Sequence, residues 1–257
     1  MTTPGFRADW PAPPWVRTWQ TTRAGGLSTG TYASLNLGLH VGDESALVAG
    51  NRESLRAVAR LPEEPVWLEQ VHGRRILDSD SGDRRAADGA VTSTPNRVLA
   101  VMTADCLPIL LTDRHGRRVG VAHAGWRGLA GGVIAAAVDA MAVEPRDILA
   151  WLGPAISQAA FEVGDEVRAA FLAADGSSET AFAANANGRW QADLYALARI
   201  ALERAGVAQI FGQVRCTYAD AATYFSHRRE APCGRMATLI WLAITETSVE
   251  IGEDAPI

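Results

Sequence analysis

The chain has 257 residues, with 48% apolar and 21% charged residues and a formal net charge of -5. That length supports a full hydrophobic core and sits at the upper edge of one domain. The acidic balance excludes an electrostatic nucleic-acid binder, which needs a basic stripe, so Arg84-Arg85 and Arg228-Arg229 read as solvated surface. The opening MTTPGFRADWPAPPW lacks the apolar centre of a signal peptide, and no uncharged apolar run reaches the roughly 18 residues of a membrane span. Cys106, Cys216 and Cys233 are odd in number and far apart, which fits a reducing cytoplasm better than a disulfide framework. The expectation is a cytoplasmic chain, a monomer or weak homodimer, with no nucleic-acid or membrane partner.

Residues 1–14 are Pro-rich and read as an irregular lead-in, 15–244 as a single domain, and 245–257 as an acidic, frayed tail. Residues 15–23 read as a strand. Asp43 has the chemistry of a helix N-cap, and Pro62 closes that helix after Leu61. Residues 66–72 predict a second strand, with His72 on the face of Leu68 and Gln70. Residues 73–88 are polar and read as an exposed loop. Residues 98–111 are apolar apart from Asp105 and Pro108. Because Pro cannot donate to a ladder, pairing is expected to break near Pro108 and free the backbone around Cys106.

Residues 119–123 read as a short strand, followed by Gly125-Trp126-Arg127-Gly128. A helix face then follows in Ala130, Val133, Ile134, Ala137, Val138 and Met141. Residues 148–156 read as a buried strand. Val163, Val167, Ala170 and Phe171 mark a helix, and Leu194, Leu197, Ala198, Ala201, Leu202 and Ala205 mark another behind an N-cap at Asp193. Residues 209–218 and 236–244 read as strands. Helices and strands do not alternate strictly, so a mixed sheet is predicted rather than a regular βαβ array.

His72, Cys106 and His123 each fall at the end of a buried strand, where α/β enzymes usually put their chemistry. Two imidazoles and a thiolate suit zinc and can also hold copper. Three protein ligands leave a fourth position open, as catalytic zinc sites do. Taken singly, each residue is more often a core or rim side chain; taken together, they favour a site. Asp105 lies within an apolar run, where a carboxylate must be paired, hydrogen-bonded or functional. The glycines of residues 125–132 open a helix, with Arg127 among them. They serve either an anion at the helix terminus or close packing of helix on sheet, and the residues alone do not choose. The five histidines contain no H-x-H pair, which argues against a multicopper oxidase, and no Walker loop, G-x-G-x-x-G, H-E-x-x-H or deaminase H-x-E…P-C-x-x-C pattern is present.

The stretches SLNLGLHVGD (34–43), VWLEQVHG (66–73), VMTADCLPILL (101–111), AHAGWRG (122–128), WLGPAIS (151–157), FEVGDEV (161–167), CTY (216–218), YFSHRRE (224–230) and GRMATLIWL (234–242) are long and ordered. On them the chain resembles the YfiH-like, laccase-domain-containing family, also labelled polyphenol oxidase and purine nucleoside phosphorylase. The resemblance implies an α+β fold of mixed sheets in an α/β/β/α sandwich. It implies a metal, zinc, on His72, Cys106 and His123, and substrate contacts from Asn36, His40, Arg52 and Arg127. It further implies phosphorolysis of adenosine, inosine, guanosine and methylthioadenosine, with purine nucleosides and phosphate as partners, and hydrolytic deamination of adenosine. Asp105 or Glu69 would move protons, and Trp126 or Phe225 would stack on the purine. The rival readings are a copper-dependent polyphenol oxidase, a metal-free hydrolase using Cys106 as nucleophile, and a non-catalytic metal-buffering or redox-partner protein.

Overall fold

The computed structural model describes residues 3–81 and 86–244, so Arg84-Arg85 and the expected tail at 245–257 lie outside the described residues. In chain order the elements begin with β1 (Gly5–Phe6), β2 (Val16–Thr21), α1 (Ser45–Ala59), β3 (Val66–Trp67), β4 (Ile76–Asp78), β5 (Gly89–Thr92) and β6 (Leu99–Thr103). They continue with β7 (Leu107–Asp113), β8 (Val119–Ala124), α2 (Trp126–Ala130), α3 (Val133–Ala140), β9 (Ile148–Leu152), β10 (Glu162–Val163) and α4 (Asp165–Ala174). The last are β11 (Phe182–Ala184), β12 (Trp190–Ala192), α5 (Leu194–Arg204), β13 (Gln209–Phe211) and β14 (Met236–Leu242).

Two mixed sheets carry the fold. One runs β1-β2-β14-β6-β3, the other β13-β9-β7-β8-β5-β4, and a small third sheet runs β10-β12-β11. Side-chain alternation explains how the two large sheets stack. Leu99 and Val101 of β6, Ile240 and Leu242 of β14, Leu110 of β7, Val119 and Val121 of β8 and Trp151 of β9 form one buried layer between the sheets. The alternate residues of the first sheet, Ala100, Met102, Leu239 and Trp241, pack with Leu55 of α1. Those of the second, Ile109, Leu111, Ala122, Ala124, Ala150 and Leu152, meet Val133, Ala137, Val167, Leu197 and Leu202 of the helices. Each fully buried Val, Leu or Ile is worth about 1.5–3 kcal/mol. The result is a single α/β/β/α sandwich, as the family resemblance implies, built on the mixed sheets expected from the order of elements.

Several local expectations give way. The lead-in supplies β1, which pairs with β2. Glu44, not Asp43, is the N-cap of α1; the Asp43 carboxylate instead accepts from the Glu44 N–H, the Ser28 hydroxyl and the Asn36 amide. The strand expected over 66–72 stops at Trp67. The Gln70 side chain then takes over the role of a strand neighbour, accepting from the Met102 N–H at 2.7 Å and donating to the Met102 carbonyl at 2.8 Å. The stretch 73–88 is not one exposed loop, because it contains β4, which pairs with β5. Pro108 does not interrupt pairing. It sits in β7 opposite His123, and its carbonyl accepts from Gly153, one residue past β9, so its missing N–H falls at the margin of the ladder. The chain breaks three residues earlier, at Ala104–Cys106, where it crosses from one large sheet to the other. The helix expected after Gly125 is two helices, split at Gly132 with φ +89. The strand expected over 209–218 ends at Phe211.

Candidate metal centre and cavity

Antiparallel pairing of β7 with β8 matches Leu107 to Ala124, which brings the residue before one strand, Cys106, beside the residue after the other, Gly125. His123, one residue back in β8, is 3% exposed. The third side chain, His72, stands at a turn with φ 59, an unusual left-handed conformation for a residue with a Cβ. The His72 and His123 rings meet edge to face, with centroids 4.8 Å apart, and Cys106 Sγ lies 3.9 Å from His72 Nε2. The ligand atoms of these three residues all lie within 4.8 Å of one another, and they are the one such group of three among the described residues.

Asp88 holds this arrangement together. It is fully buried immediately before β5. Its Oδ1 accepts from the His72 N–H at 2.8 Å and lies 2.8 Å from His123 Nδ1. Its Oδ2 accepts from the Gly73 N–H at 2.6 Å and the Val71 N–H at 3.2 Å. One carboxylate thus shapes the turn that presents His72 and engages Nδ1 of His123, leaving Nε2 for a metal, a common arrangement for metal-binding histidines. Burial works against the charge on Asp88, yet His123 and the backbone donors hold its pKa below the usual carboxylate value. The sequence reading passed over Asp88.

Electrostatics favour an anionic sulfur. Burial pushes the Cys106 thiol up, but His123 and His72 outweigh it and bring the pKa down to about 6. Burial lowers His123, but Cys106 and Asp88 reverse this and raise it to about 9. Two imidazoles and a thiolate at this spacing form a donor set that fits zinc.

Beside the three residues lies a cavity of about 280 Å³. His72, Cys106, Trp126, Arg127, His227 and Arg228 bring polar groups to its wall, and Ile156, Phe161 and Leu194 an apolar side. A separate cavity of about 210 Å³, between Phe6, Trp151, Phe211 and Arg215, contains none of the donor set and is set aside as the site. Gly125 and Gly128 are glycines for close packing. A Cβ at Gly125 would stand 2.9 Å from His72 Cδ2 and 3.0 Å from Cys106 Sγ, and one at Gly128 would stand 2.7 Å from the Gly73 carbonyl. With only five residues, α2 offers no terminus built for an anion, so packing is the better account of these glycines.

The residues singled out in the sequence divide into two groups. His72, Cys106, Asp105 and Arg127 line the cavity, with His123 beneath it. Asn36, His40 and Arg52 gather elsewhere, around residues 36–43. The Asn36 side chain accepts from Gly38 and Arg235 N–H groups and donates to Asp43. Arg52 stacks 4.0 Å over the Trp67 ring and donates twice to the Leu37 carbonyl. His40 has its pKa lowered by burial, then by Arg235 and Arg52. Glu69 is exposed, and its backbone bridges Ala86. Phe225 is 1% exposed, under Arg23 and against Gly234, and does not line the cavity; Trp126 does. Asp105 has φ 91, and its carboxylate accepts from the Thr217 hydroxyl (2.6 Å), the Ser226 hydroxyl (3.0 Å) and the Arg228 N–H (2.7 Å). It ties the inter-sheet crossing to the segment that carries His227 and Arg228.

Fold and site together define an α/β/β/α protein in which a two-histidine, one-cysteine donor set that could hold a metal ion adjoins an arginine-bearing cavity. Residues 17–243 match the family described as multi-copper polyphenol oxidoreductase laccase, and the chain belongs to that family. It is 50% identical to the purine nucleoside phosphorylase YfiH of Escherichia coli over 91% of this chain and 97% of that protein. It is 49% identical to a purine nucleoside phosphorylase of Pseudomonas aeruginosa, over 91% and 96% of the two chains. Among solved structures it is similar to a Neisseria meningitidis protein with a TM-score of 0.90 and 48% identity, covering 94% of this chain and 100% of that one. YlmD of Geobacillus stearothermophilus gives a TM-score of 0.86 at 34% identity, covering 95% and 98%.

Proposed function

We propose that this chain is a zinc-dependent purine nucleoside phosphorylase acting on adenosine, inosine, guanosine and methylthioadenosine, and that it also deaminates adenosine. The observation that carries the reading is the meeting of a thiolate–imidazole donor set with a cavity that has both cations and an apolar wall. His72, Cys106 and His123 would hold the ion, and zinc, when bound, would supply a Lewis acid. The names of the similar proteins point the same way.

The chain's own residues have separable tasks in this reading. Phosphate is a dianion near neutral pH, and Arg127 and Arg228 bring guanidinium groups to the cavity, suited to paired hydrogen bonds with phosphate oxygens. Trp126 and Phe161 offer aromatic surface to the purine, and Ile156 and Leu194 exclude water from it. Asp105 acts by positioning, since its oxygens are engaged by Thr217, Ser226 and Arg228. The outlying Asn36, His40 and Arg52 would reach substrate only where it extends beyond the cavity wall.

The test is product analysis. Adenosine with phosphate is expected to yield adenine and ribose 1-phosphate, and adenosine alone to yield inosine. Arg127→Ala should weaken phosphorolysis far more than deamination, because only phosphorolysis uses phosphate. Equal loss of both activities would assign Arg127 to the purine site or the fold. A second reading rests on the low pKa of Cys106 beside protonated His123, a pairing that suits a nucleophilic thiol. An active but metal-free preparation would favour it.

A further inference from the structure

We infer that His227 is the group that gives a proton to the departing purine during phosphorolysis. The inference rests on the proposed function and deepens it. It follows by exhausting the cavity's side chains. Of the residues that line the cavity, Ala104, Trp126, Ile156, Phe161 and Leu194 cannot exchange a proton near neutral pH. His72 and Cys106 belong to the metal donor set. Arg127 and Arg228 stay protonated throughout. Asp105, one of the two carboxylates that the sequence offers for proton transfer, already accepts from three donors, and the other, Glu69, does not line the cavity. His227 is left, and its imidazole is the side chain best suited to proton transfer at neutral pH.

The backbone around His227 is fixed to match. On one side, Ser226 is fully buried and donates its hydroxyl to Asp105 Oδ2. On the other, the Arg228 N–H donates to the same oxygen, and the Arg228 guanidinium donates to the Glu162 carbonyl at 2.9 Å. Arg229 anchors the segment further, donating to the carbonyls of Thr217, Tyr218 and Tyr224. His227 itself is exposed at the cavity wall. A titratable ring on a clamped backbone is what a proton donor requires.

The chemistry balances without another reactant. A phosphate oxygen forms a bond to C1′ of the ribose as the C1′–N9 bond breaks. The bonding electrons pass into the purine, and His227 protonates it at N7. Monohydrogen phosphate gives up its proton on becoming ribose 1-phosphate, and that proton restores the imidazolium.

The experiment compares guanosine with 7-methylguanosine. The purine of the latter already carries a positive charge, so it leaves without being protonated. In the zinc-loaded enzyme, His227→Ala and His227→Gln should lower kcat for guanosine by on the order of a hundredfold or more. Turnover of 7-methylguanosine should fall far less, and zinc content should match that of wild type. Equal losses on both substrates, or no loss on guanosine, would overturn the inference while leaving the proposed function intact. A wild-type enzyme that cleaves neither substrate would overturn the phosphorolysis reading, and this inference with it.

Discussion

Asp88→Asn keeps the shape of the side chain and removes its charge. Each Asp88 oxygen accepts two hydrogen bonds, Oδ1 from His72 N–H and His123, and Oδ2 from Gly73 and Val71 N–H groups. An amide keeps one accepting oxygen, so two of the four donors face an NH2 group whichever way it turns. A buried donor without a partner costs about 1–3 kcal/mol. Because the 71–73 turn is partly exposed, the lower end applies, and the metal-free variant should lose about 2 kcal/mol of stability. With the amide NH2 towards His123, Nδ1 becomes the acceptor and the proton moves to Nε2, where it blocks metal binding. Metal affinity should then fall about 10–100-fold, equivalent to about 1.4–2.7 kcal/mol. Thermal unfolding of metal-free protein measures the stability loss, and competition with a chromophoric chelator the loss of metal affinity. Lost stability with wild-type zinc affinity would refute the claim that Asp88 orients the ligands and leave it a role in folding alone.

Protein purified without chelator should contain about one zinc per chain, the number that one tetrahedral site holds. Cys106→Ser should lose most of that zinc, while Cys216→Ser and Cys233→Ser, outside the donor set, should keep it; unchanged zinc in Cys106→Ser with all turnover lost would make the thiol a nucleophile. In metal-free protein, alkylation of Cys106 by iodoacetamide should rise through a midpoint near pH 6 instead of the ordinary 9.0, and in His123→Gln the midpoint should move upward, because burial alone raises the thiol. The stability of metal-free protein should follow the same pair. The thiolate's contribution is lost as pH falls through about 6, and that of protonated His123 is lost as pH rises through about 9, so the unfolding temperature is expected to be highest in between.

The three residues of the candidate metal site were legible because each stands at the end of an apolar run, where a polar residue of unusual chemistry is conspicuous. Asp88 was not. It follows a charged stretch containing Arg74, Arg75, Asp78 and Asp80, and on the page it resembles any surface acid. Only the pairing of β5 with β8, which aligns Gly89 with Ala122, shows that Asp88 must lie beside His123. Asp105 illustrates the converse. Its burial was legible, but its partners Thr217, Ser226 and Arg228 come more than 100 residues later, so the sequence could not tell a clamp from an acid. Phe225 and Trp126 were equivalent as sequence, and a packing contact with Gly234 separates them.

The same topology explains why the centre forms where it does. Cys106 sits on the crossing between the two large sheets, His123 on a strand of the second sheet, and His72 on the turn that follows β3 of the first. A metal held by all three would bind elements of both sheets at once, so binding free energy becomes folding free energy for the sandwich as a whole. The clamp made by Asp105 starts from this same crossing and reaches the His227 segment. The wall of the cavity is therefore referenced to the candidate metal ligand beside it through a single residue step, Asp105 to Cys106. The short connection favours a fixed spacing between the metal centre and the groups that face it, which a reaction with separate phosphate, ribose and purine contacts requires.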